Sequence, residues 1–214
     1  MESFVWGGIL KAEVRFQLLP RLLFAVLLFL LAPLLFGCSA LDAQAAAAPL
    51  ECFLSLMGTV LLTPLFLPEG DEGIRQTVEA RAVSPVRVYL LRLALGVVLL
   101  AALVAGFVLL LRCSESEAGL LHFLAAFGDG VFLGGLGLFV LALSRNIALS
   151  YMAPLALFAL NFTLADNKLG PFALFTLYRG AEGGAVLLDK LVLIGLGLLL
   201  TAGALGIREV WRRH

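Results

Sequence analysis

Charged residues are scarce in this sequence. Lys, Arg, Asp and Glu make up 14% of the 214 residues, against about 25% in an ordinary soluble domain. The mean hydropathy is +1.06, so water cannot solvate most of the surface, and a soluble globular protein is excluded. The 15 basic and 15 acidic residues cancel, which leaves no positive surplus that would favour nucleic acid. The composition predicts an integral membrane protein.

Motifs for nucleotide or metal chemistry are also missing. No G-x-x-x-x-G-K-[ST] phosphate-binding loop occurs, so ATP chemistry is not expected in this chain. The stretch "GDGVFLGGLGLF" has several glycines, but it lies inside an apolar run with no strand before it. Gly130 and Gly134 are better explained as points where a neighbouring helix approaches closely, and the same holds for Ala202 and Gly206. We expect no catalytic residue, metal site or cofactor here.

Cysteine is rare as well, with Cys38, Cys52 and Cys113 predicted at the outer ends of helices. A Cys38–Cys52 disulfide across the first outer loop is conceivable in an oxidising compartment. The alternative is that these cysteines are small apolar fillers. The leftover third cysteine and the absence of a spacing signature favour the fillers.

Long apolar runs, in contrast, recur along the whole chain. Since about 20 apolar residues span a bilayer, and the runs continue to the C-terminus, a removable signal peptide does not account for them. We predict an all-α membrane protein with a single transmembrane domain, 1–214, and six spanning helices. The predicted spans are 18–37, 52–67, 88–111, 119–143, 147–164 and 188–207.

Basic residues distribute unevenly between the two sides that six spans create. Eleven fall on one side and only Arg112, Lys168, Arg179 and Lys190 on the other, which places both termini in the cytoplasm by the positive-inside rule. The eleven are Lys11, Arg15, Arg21, Arg75, Arg81, Arg87, Arg92, Arg145, Arg208, Arg212 and Arg213.

Two segments flank the spans on the membrane surface. Residues 1–19 alternate apolar and charged positions and predict an interfacial amphipathic helix; the alternative is an extension of the first span. Residues 165–187 carry a half-apolar stretch, "FALFTLY", which is too short to span and too apolar for water. They predict an outer re-entrant or interfacial segment that acts as a gate. Asp189 and Lys190 then serve as an interface anchor, and Arg208, Arg212, Arg213 and His214 as a cytoplasmic one.

Asp129 is the most notable single residue, because a carboxyl group inside a span costs about 2.5–3.5 kcal/mol on insertion scales and is usually functional or paired. His122 lies two turns earlier on the same face. Together they could bind a cation, relay a proton or contact a polar headgroup, and we treat them as substrate-pathway candidates. The alternative places Asp129 near the outer surface, solvated or paired with Arg179 or Lys190.

The stretch 68–87 is a dense charged insert between two apolar runs. Asp71 suits an N-cap, and the residues from Glu72 to Ala82 suit a short cytoplasmic helix. Ile74 and Val78 form an apolar stripe flanked by charges, which is typical of a helix that docks into a groove on a partner protein. The alternative is a solvated loop.

This insert resembles the corresponding loop in the membrane subunit of ABC-2-type ABC transporters. The matching residues are Glu69, Glu72-Gly73-Ile74, Glu79 and Ser84-Pro85-Val86, with Ile74 where the family usually has Thr. "LALSRNIALSYMAPLALF" resembles that family's inner turn between spans four and five, and residues 1–19 its elbow helix. The coupling helix that this resemblance implies comprises Glu69, Glu72, Gly73, Ile74, Arg75, Val78, Glu79 and Arg81.

The resemblance implies a non-catalytic permease, an exporter of the bacterial inner or plasma membrane. A separate ATPase subunit would bind ATP and Mg²⁺, and a second permease copy or homologous permease would complete the assembly. Three alternatives stay open: a haem-exporter-type permease of cytochrome c maturation, an ATP-independent carrier, and a membrane-embedded enzyme that uses His122 and Asp129.

Overall fold

The computed structural model describes residues 18–70, 85–164, 170–181 and 183–213. The elbow helix predicted for residues 1–19 therefore lies almost wholly outside the described residues, as does the coupling helix from Glu72 to Arg81. Within the described ranges the chain is helical apart from short connections and contains no strand.

Helices follow one another along these ranges. The main helices are α1 (Leu19–Phe36), α2 (Ala43–Phe66), α3 (Pro85–Cys113), α4 (Leu120–Ser144), α5 (Ile147–Thr163) and α6 (Gly183–Arg213), and a 3-10 turn lies at Gly170–Phe172. Five of them, α1, α2, α3, α4 and α6, are long and apolar enough to cross a membrane, while α5 is a shorter apolar helix. The fold is that of a multi-pass α-helical membrane protein.

The start of α2 differs from the prediction. The sequence predicted a span over 52–67 after an Ala-rich outer loop, but the helical run begins at Ala43 and takes in that loop. Asp42 caps it, because its Oδ1 accepts a hydrogen bond from the Ala45 N–H at 2.7 Å, and alanine is the strongest helix former. Ala46 and Ala47 are fully buried, so this stretch belongs to the helix bundle.

Helix α4 occupies the centre of the bundle, where it contacts α2, α3, α5 and α6. Glycines make these contacts close. A Cβ atom at Gly134 would lie 2.4 Å from the carbonyl oxygen of Gly58 in α2, and one at Gly135 would lie 2.6 Å from that of Gly197 in α6. Only glycine fits at such distances, and it lets the backbones of neighbouring membrane helices touch.

The predicted role of small residues is confirmed in α4 and wrong in α6. A Cβ atom at Gly58 of α2 would be 1.9 Å from the Gly130 carbonyl oxygen, so α2 packs closely here. Gly206, in contrast, has open space around it, and Ala202 is exposed. The glycines of α6 that meet α4 are Gly197, where a Cβ atom would be 2.8 Å from the Val131 carbonyl oxygen, and Gly203, where it would be 3.2 Å from the Phe139 ring.

Candidate functional site

Three ionisable side chains meet inside the bundle, and each is fully buried: Glu51 of α2, Asp129 of α4 and Lys190 of α6. The Lys190 Nζ lies 2.8 and 2.9 Å from the two carboxylate oxygens of Asp129 and 2.9 Å from Glu51 Oε1. It also donates to the carbonyl oxygen of Leu174. An ammonium group has three N–H donors, so all of them are used within the protein. We call these three residues the ion cluster.

The ion cluster lies well inside the helices. Glu51, Asp129 and Lys190 are the ninth, tenth and eighth residues of their helices, which at 1.5 Å per residue puts them about 10–14 Å from the helix starts. Helices α2, α4 and α6 all start at one end of the bundle, which we call the upper end. In a hydrocarbon layer about 30 Å thick, charges at that depth need partners from the protein.

A local irregularity of α2 surrounds Glu51. Pro49 has no N–H to donate, so it interrupts the regular hydrogen-bond ladder. The next five residues, Leu50–Leu54, form a π-helical turn, in which the Ser55 N–H donates to the Leu50 carbonyl oxygen at 3.1 Å. Wide turns of this kind change the direction in which side chains point, and they are frequent at functional sites.

The 170–181 segment covers the ion cluster at the upper end. Its backbone is mostly non-helical, and residues 173–176 are buried. Two of its N–H groups donate to the Glu51 carboxylate, Leu177 at 3.3 Å and Tyr178 at 2.8 Å. Irregular backbone at membrane depth is stable only when protein groups satisfy it, and here a buried carboxylate does so.

Polar side chains from two further positions hold the same segment. Asn161 near the end of α5 accepts a hydrogen bond from the Leu174 N–H at 2.9 Å, and its carbonyl oxygen accepts one from Arg179. Gln44 at the start of α2 donates to the Tyr178 carbonyl oxygen at 2.9 Å. The segment is thus tied to α2, α5 and α6 through side chains.

Aromatic rings fill the space between this segment and α5. The ring of Phe175 lies 5.1 Å from that of Phe158 and 4.4 Å from that of Phe162, measured between centroids. Phe175 is 1% exposed. The Phe158–Phe175 pair is edge-on, and such pairs add about 0.5–1.5 kcal/mol beyond their buried area, so the segment is anchored by packing as well as by hydrogen bonds.

Asp129 and His122 do not form one site. The Gly119 N–H donates to His122 Nδ1 at 3.3 Å, so Nε2 carries the ring proton and donates to the Ala43 carbonyl oxygen at 2.8 Å. His122 therefore joins the start of α4 to the start of α2. Asp129 pairs with Lys190, which was one of the alternatives, but the carboxylate is buried and not solvated at the outer surface.

The sequence interpretation missed Glu51, and it named Lys190 only as one possible partner of Asp129. Lys190 was predicted to be an interface anchor and is instead 0% exposed, because α6 begins at Gly183 and not at 188. Glu51 was assigned to an outer loop and lies in α2. The sequence does show an acidic residue in an apolar context, "APLECFLSL". This pattern indicates a buried carboxylate only if the Ala-rich stretch before it is part of the helix. Asp189 next to Lys190 is half-exposed.

All three cysteines are free thiols. Cys52 is buried in α2 beside Glu51, Cys38 is half-buried and Cys113 is exposed, so the Cys38–Cys52 disulfide considered above is not present. Cys38 lies in the connection between α1 and α2, where burial raises the pKa of its thiol.

Of the predicted coupling residues, the structure describes the backbone of Glu69 alone. Glu69 lies on described backbone, in the 3-10 turn Thr63–Gly70 that extends α2, and the others, from Glu72 to Arg81, lie outside the described residues. Across the part of the chain that the structure describes, no group of three or more His, Cys, Asp and Glu residues is arranged to hold a metal ion.

The ion cluster therefore holds the 170–181 segment against α2 and α6, and its ammonium donors are all used within the protein. Comparison with known proteins adds no further assignment: no protein-family model, no curated protein and no solved structure shows significant similarity to this chain.

Proposed function

We propose that this chain is the permease subunit of an ABC exporter. In this proposal α5 also crosses the membrane, which gives six spans with both termini in the cytoplasm, and the 68–87 stretch docks onto a separate ATPase subunit. Support comes from the likeness of Glu69, Glu72-Gly73-Ile74, Glu79 and Pro85-Val86 to the ABC-2 loop, and from a fold of apolar helices that fits a multi-pass membrane protein.

The observation that carries the proposal is the position of α2. Its lower end bends at Pro64 and leads through the 3-10 turn Thr63–Gly70 into the charged 68–87 stretch, and its upper half carries Glu51, which binds the 170–181 segment. A run of 24 residues is about 36 Å long, enough to connect the two membrane surfaces. Movement of the charged stretch would thus reach the outer segment through one packed helix.

The ion cluster would act as the latch of an outer gate. Opening the gate requires Glu51 to release the Leu177 and Tyr178 N–H groups, while Lys190 releases the Leu174 carbonyl oxygen and stays paired with Asp129. A two-state contact of this kind is what a transport cycle needs, because the pathway must be closed while the inner side is open.

The alternatives gain no comparable support. A membrane enzyme would need His122 and Asp129 to act on one substrate, yet each is bonded to a different partner. No observation in the described residues favours haem or an ATP-independent mechanism over the ABC assignment.

Copurification tests the assignment directly. Burying Ile74 and Val78 in a partner groove is worth about 1.5–3 kcal/mol for each side chain, so Ile74→Asp with Val78→Asp should abolish copurification of the tagged chain with its ATPase. The matched control, Gln76→Asp with Thr77→Asp, adds the same charge at positions between the two apolar residues and should retain the complex. If the Ile74/Val78 variant still copurifies and transports at the native rate, the coupling role is wrong.

Topology can be tested separately in a chain whose native cysteines have been removed. Ala45→Cys and Leu169→Cys should react with a membrane-impermeant thiol reagent added to intact cells, and Thr77→Cys should not. Labelling of position 77 from outside would overturn the assignment of both termini to the cytoplasm.

A further inference from the structure

The two carboxylates of the ion cluster share a single ammonium group. Both oxygens of Asp129 and one oxygen of Glu51 lie within 2.9 Å of the Lys190 Nζ. When all three groups are ionised, the cluster has one negative charge more than it has positive charges. Because the three side chains are fully buried, bulk water does not offset this excess, and a buried charge without compensation is costly. The protein must therefore supply the compensation.

The 170–181 segment supplies it in the closed arrangement. The N–H groups of Leu177 and Tyr178 donate to Oε1 and Oε2 of Glu51, and such hydrogen bonds stabilise an ionised carboxylate. The half-buried Arg179 adds a positive charge to the same segment. Among the described residues, every partner of the two carboxylates is an N–H donor, whereas a protonated carboxyl group would need an acceptor. The closed arrangement therefore suits two ionised carboxylates.

The other titratable side chains near this level are fixed elsewhere or move with the segment. The upper halves of α1 and α5 bring none. His122 of α4 is bonded to the Ala43 carbonyl oxygen, and Arg112 of α3 to that of Ala118. Lys190 is thus the cation that the described helices keep beside the carboxylates when the segment moves away. The whole set comprises Cys52, Arg112, His122, Tyr178, Arg179 and Asp189.

We propose that the Glu51–Asp129 pair takes up one proton when the 170–181 segment opens and releases it when the segment closes. Opening withdraws the two N–H donors and the Arg179 charge, so two carboxylates remain with one ammonium group. Binding of one proton from solution then makes the cluster neutral. The carboxylates are coupled through Lys190, so the proton belongs to the pair and not to one residue. This inference rests on the latch role proposed above and does not depend on the ATPase assignment.

The surroundings of the cluster favour a proton over water as the replacement for the lost donors. Leu133, one turn after Asp129, and Leu193, nearly one turn after Lys190, are both fully buried. The cluster lies about 10–14 Å from the helix starts, so water that entered would meet apolar walls below the charges. Neutralisation by a proton needs no such hydration. Acid should therefore favour the open arrangement, because the open form binds one more proton than the closed form.

Cysteine labelling at a series of pH values tests the proposal on the purified full-length chain. Ala173→Cys is the only cysteine, and its labelling rate is divided at each pH by that of a chain in which the exposed Cys113 is the only cysteine. This division corrects for the pH dependence of the reagent itself. The corrected rate should rise about tenfold for each unit by which pH falls, over the range in which the open pair is protonated and the closed pair is not. Ala204→Cys, fully buried in the lower half of α6, should stay protected throughout.

Two variants identify the pair that binds the proton. Asp129→Asn leaves one carboxylate with one ammonium group, so the corrected rate should no longer depend on pH. Glu51→Gln should also remove the dependence, with faster labelling at every pH, because an amide has one acceptor oxygen for two N–H donors. His122→Gln and Asp189→Asn are the matched controls, and both should keep the native pH dependence.

The outcomes separate this proposal from the latch. A native rate that does not change with pH would overturn the proton uptake, and the latch would still stand if Glu51→Ala speeds labelling. Loss of the pH dependence in His122→Gln but not in Asp129→Asn would assign the proton to the histidine, against the proposal. Labelling of Ala204→Cys in parallel with Ala173→Cys would mean acid unfolding of the bundle and would also contradict it. Equal rates for Glu51→Ala and the native chain at every pH would remove the latch, and the proton uptake with it.

Discussion

Of the two helices α1 and α4, the more apolar one, α1, is the less buried. The most apolar window of α1 has a mean hydropathy of 2.4, yet only 11% of its residues are buried. The most apolar window of α4 has a lower mean hydropathy, 1.9, and 72% of its residues are buried. In water the more apolar helix would be the inner one. Here lipid surrounds the bundle, so leucine-rich faces can stay outside, and small or polar residues mark the interior.

The residues of the two helices show how this works. In α1 the buried positions are Ala25 and Ala32, while Leu34 is 82% exposed. In α4 the interior holds Asp129 together with the glycines that contact α2 and α6. Polar groups in a membrane protein need partners, and only the inside of the bundle supplies them.

Loss of the ammonium group from the ion cluster should destabilise the bundle more than any other single substitution considered for α1, α4 or α6. Lys190→Met leaves Glu51 and Asp129 as two buried carboxylates without a counter-charge. Removing one partner of a buried ion pair typically costs about 3–5 kcal/mol. We expect a chain that is poorly folded in detergent, measured as a large fall in the thermal unfolding midpoint. Asp189→Asn, one residue away and half-exposed, should leave the midpoint unchanged.

A compensated variant separates charge from shape. Adding Glu51→Gln and Asp129→Asn to Lys190→Met removes all three charges, so much of the lost stability should return. If the triple variant is no more stable than Lys190→Met alone, the cost comes from packing and not from uncompensated charge.

The same truncation in the two helices should have unequal effects. Leu138 of α4 is 1% exposed, and Leu138→Ala should cost about 2–5 kcal/mol because it leaves a cavity. Leu34→Ala in α1 should cost less than about 0.5 kcal/mol, since lipid or detergent fills the space. Unfolding of both variants in the same detergent checks this difference. Equal losses would mean that the face of α1 is covered by protein.

Glycine substitutions distinguish a packed helix face from an open one, with smaller changes in stability. Gly134→Ala places a Cβ atom against the Gly58 carbonyl oxygen and should destabilise the chain by about 1–3 kcal/mol. Gly206→Ala enters open space and should be neutral or stabilise by up to about 1 kcal/mol. A destabilising Gly206→Ala would show that the space around Gly206 is occupied by a further segment of protein.

Thiol chemistry gives the smallest effect. Because burial raises the pKa of Cys38, less of its thiolate is present at neutral pH than for an ordinary cysteine, and the thiolate is the reactive form. The half-buried Cys38 should react with maleimide more slowly than the exposed Cys113, and its rate should continue to rise with pH above the usual range for a free thiol. Mass mapping of the labelled peptides distinguishes the two sites, and a faster Cys38 would contradict the assigned burial.

Much of the fold was predictable from the sequence, because run length and hydropathy set the helices directly. The ion cluster was not, since it depends on where helices begin. At the expected start of a span, Lys190 looks like an interface anchor. Because α6 begins at Gly183, Lys190 lies seven residues inside the helix, where its charge must be paired. Glu51 becomes a buried group only when the Ala-rich stretch continues α2. The basic residue that pairs with Asp129 is determined by how the helices pack, and a single sequence does not reveal that packing.

The central claim is that Glu51, held by Lys190, keeps the 170–181 segment closed against the helices. The most direct test is the labelling rate of Ala173→Cys, in a chain without native cysteines, by an impermeant thiol reagent. Ala173 is 2% exposed, so it should be protected in the native background. In the Glu51→Ala background, which loses the hydrogen bonds to Leu177 and Tyr178, labelling should be at least about tenfold faster, as expected for a loss of about 1.4 kcal/mol. Equal labelling rates in the two backgrounds would contradict the latch.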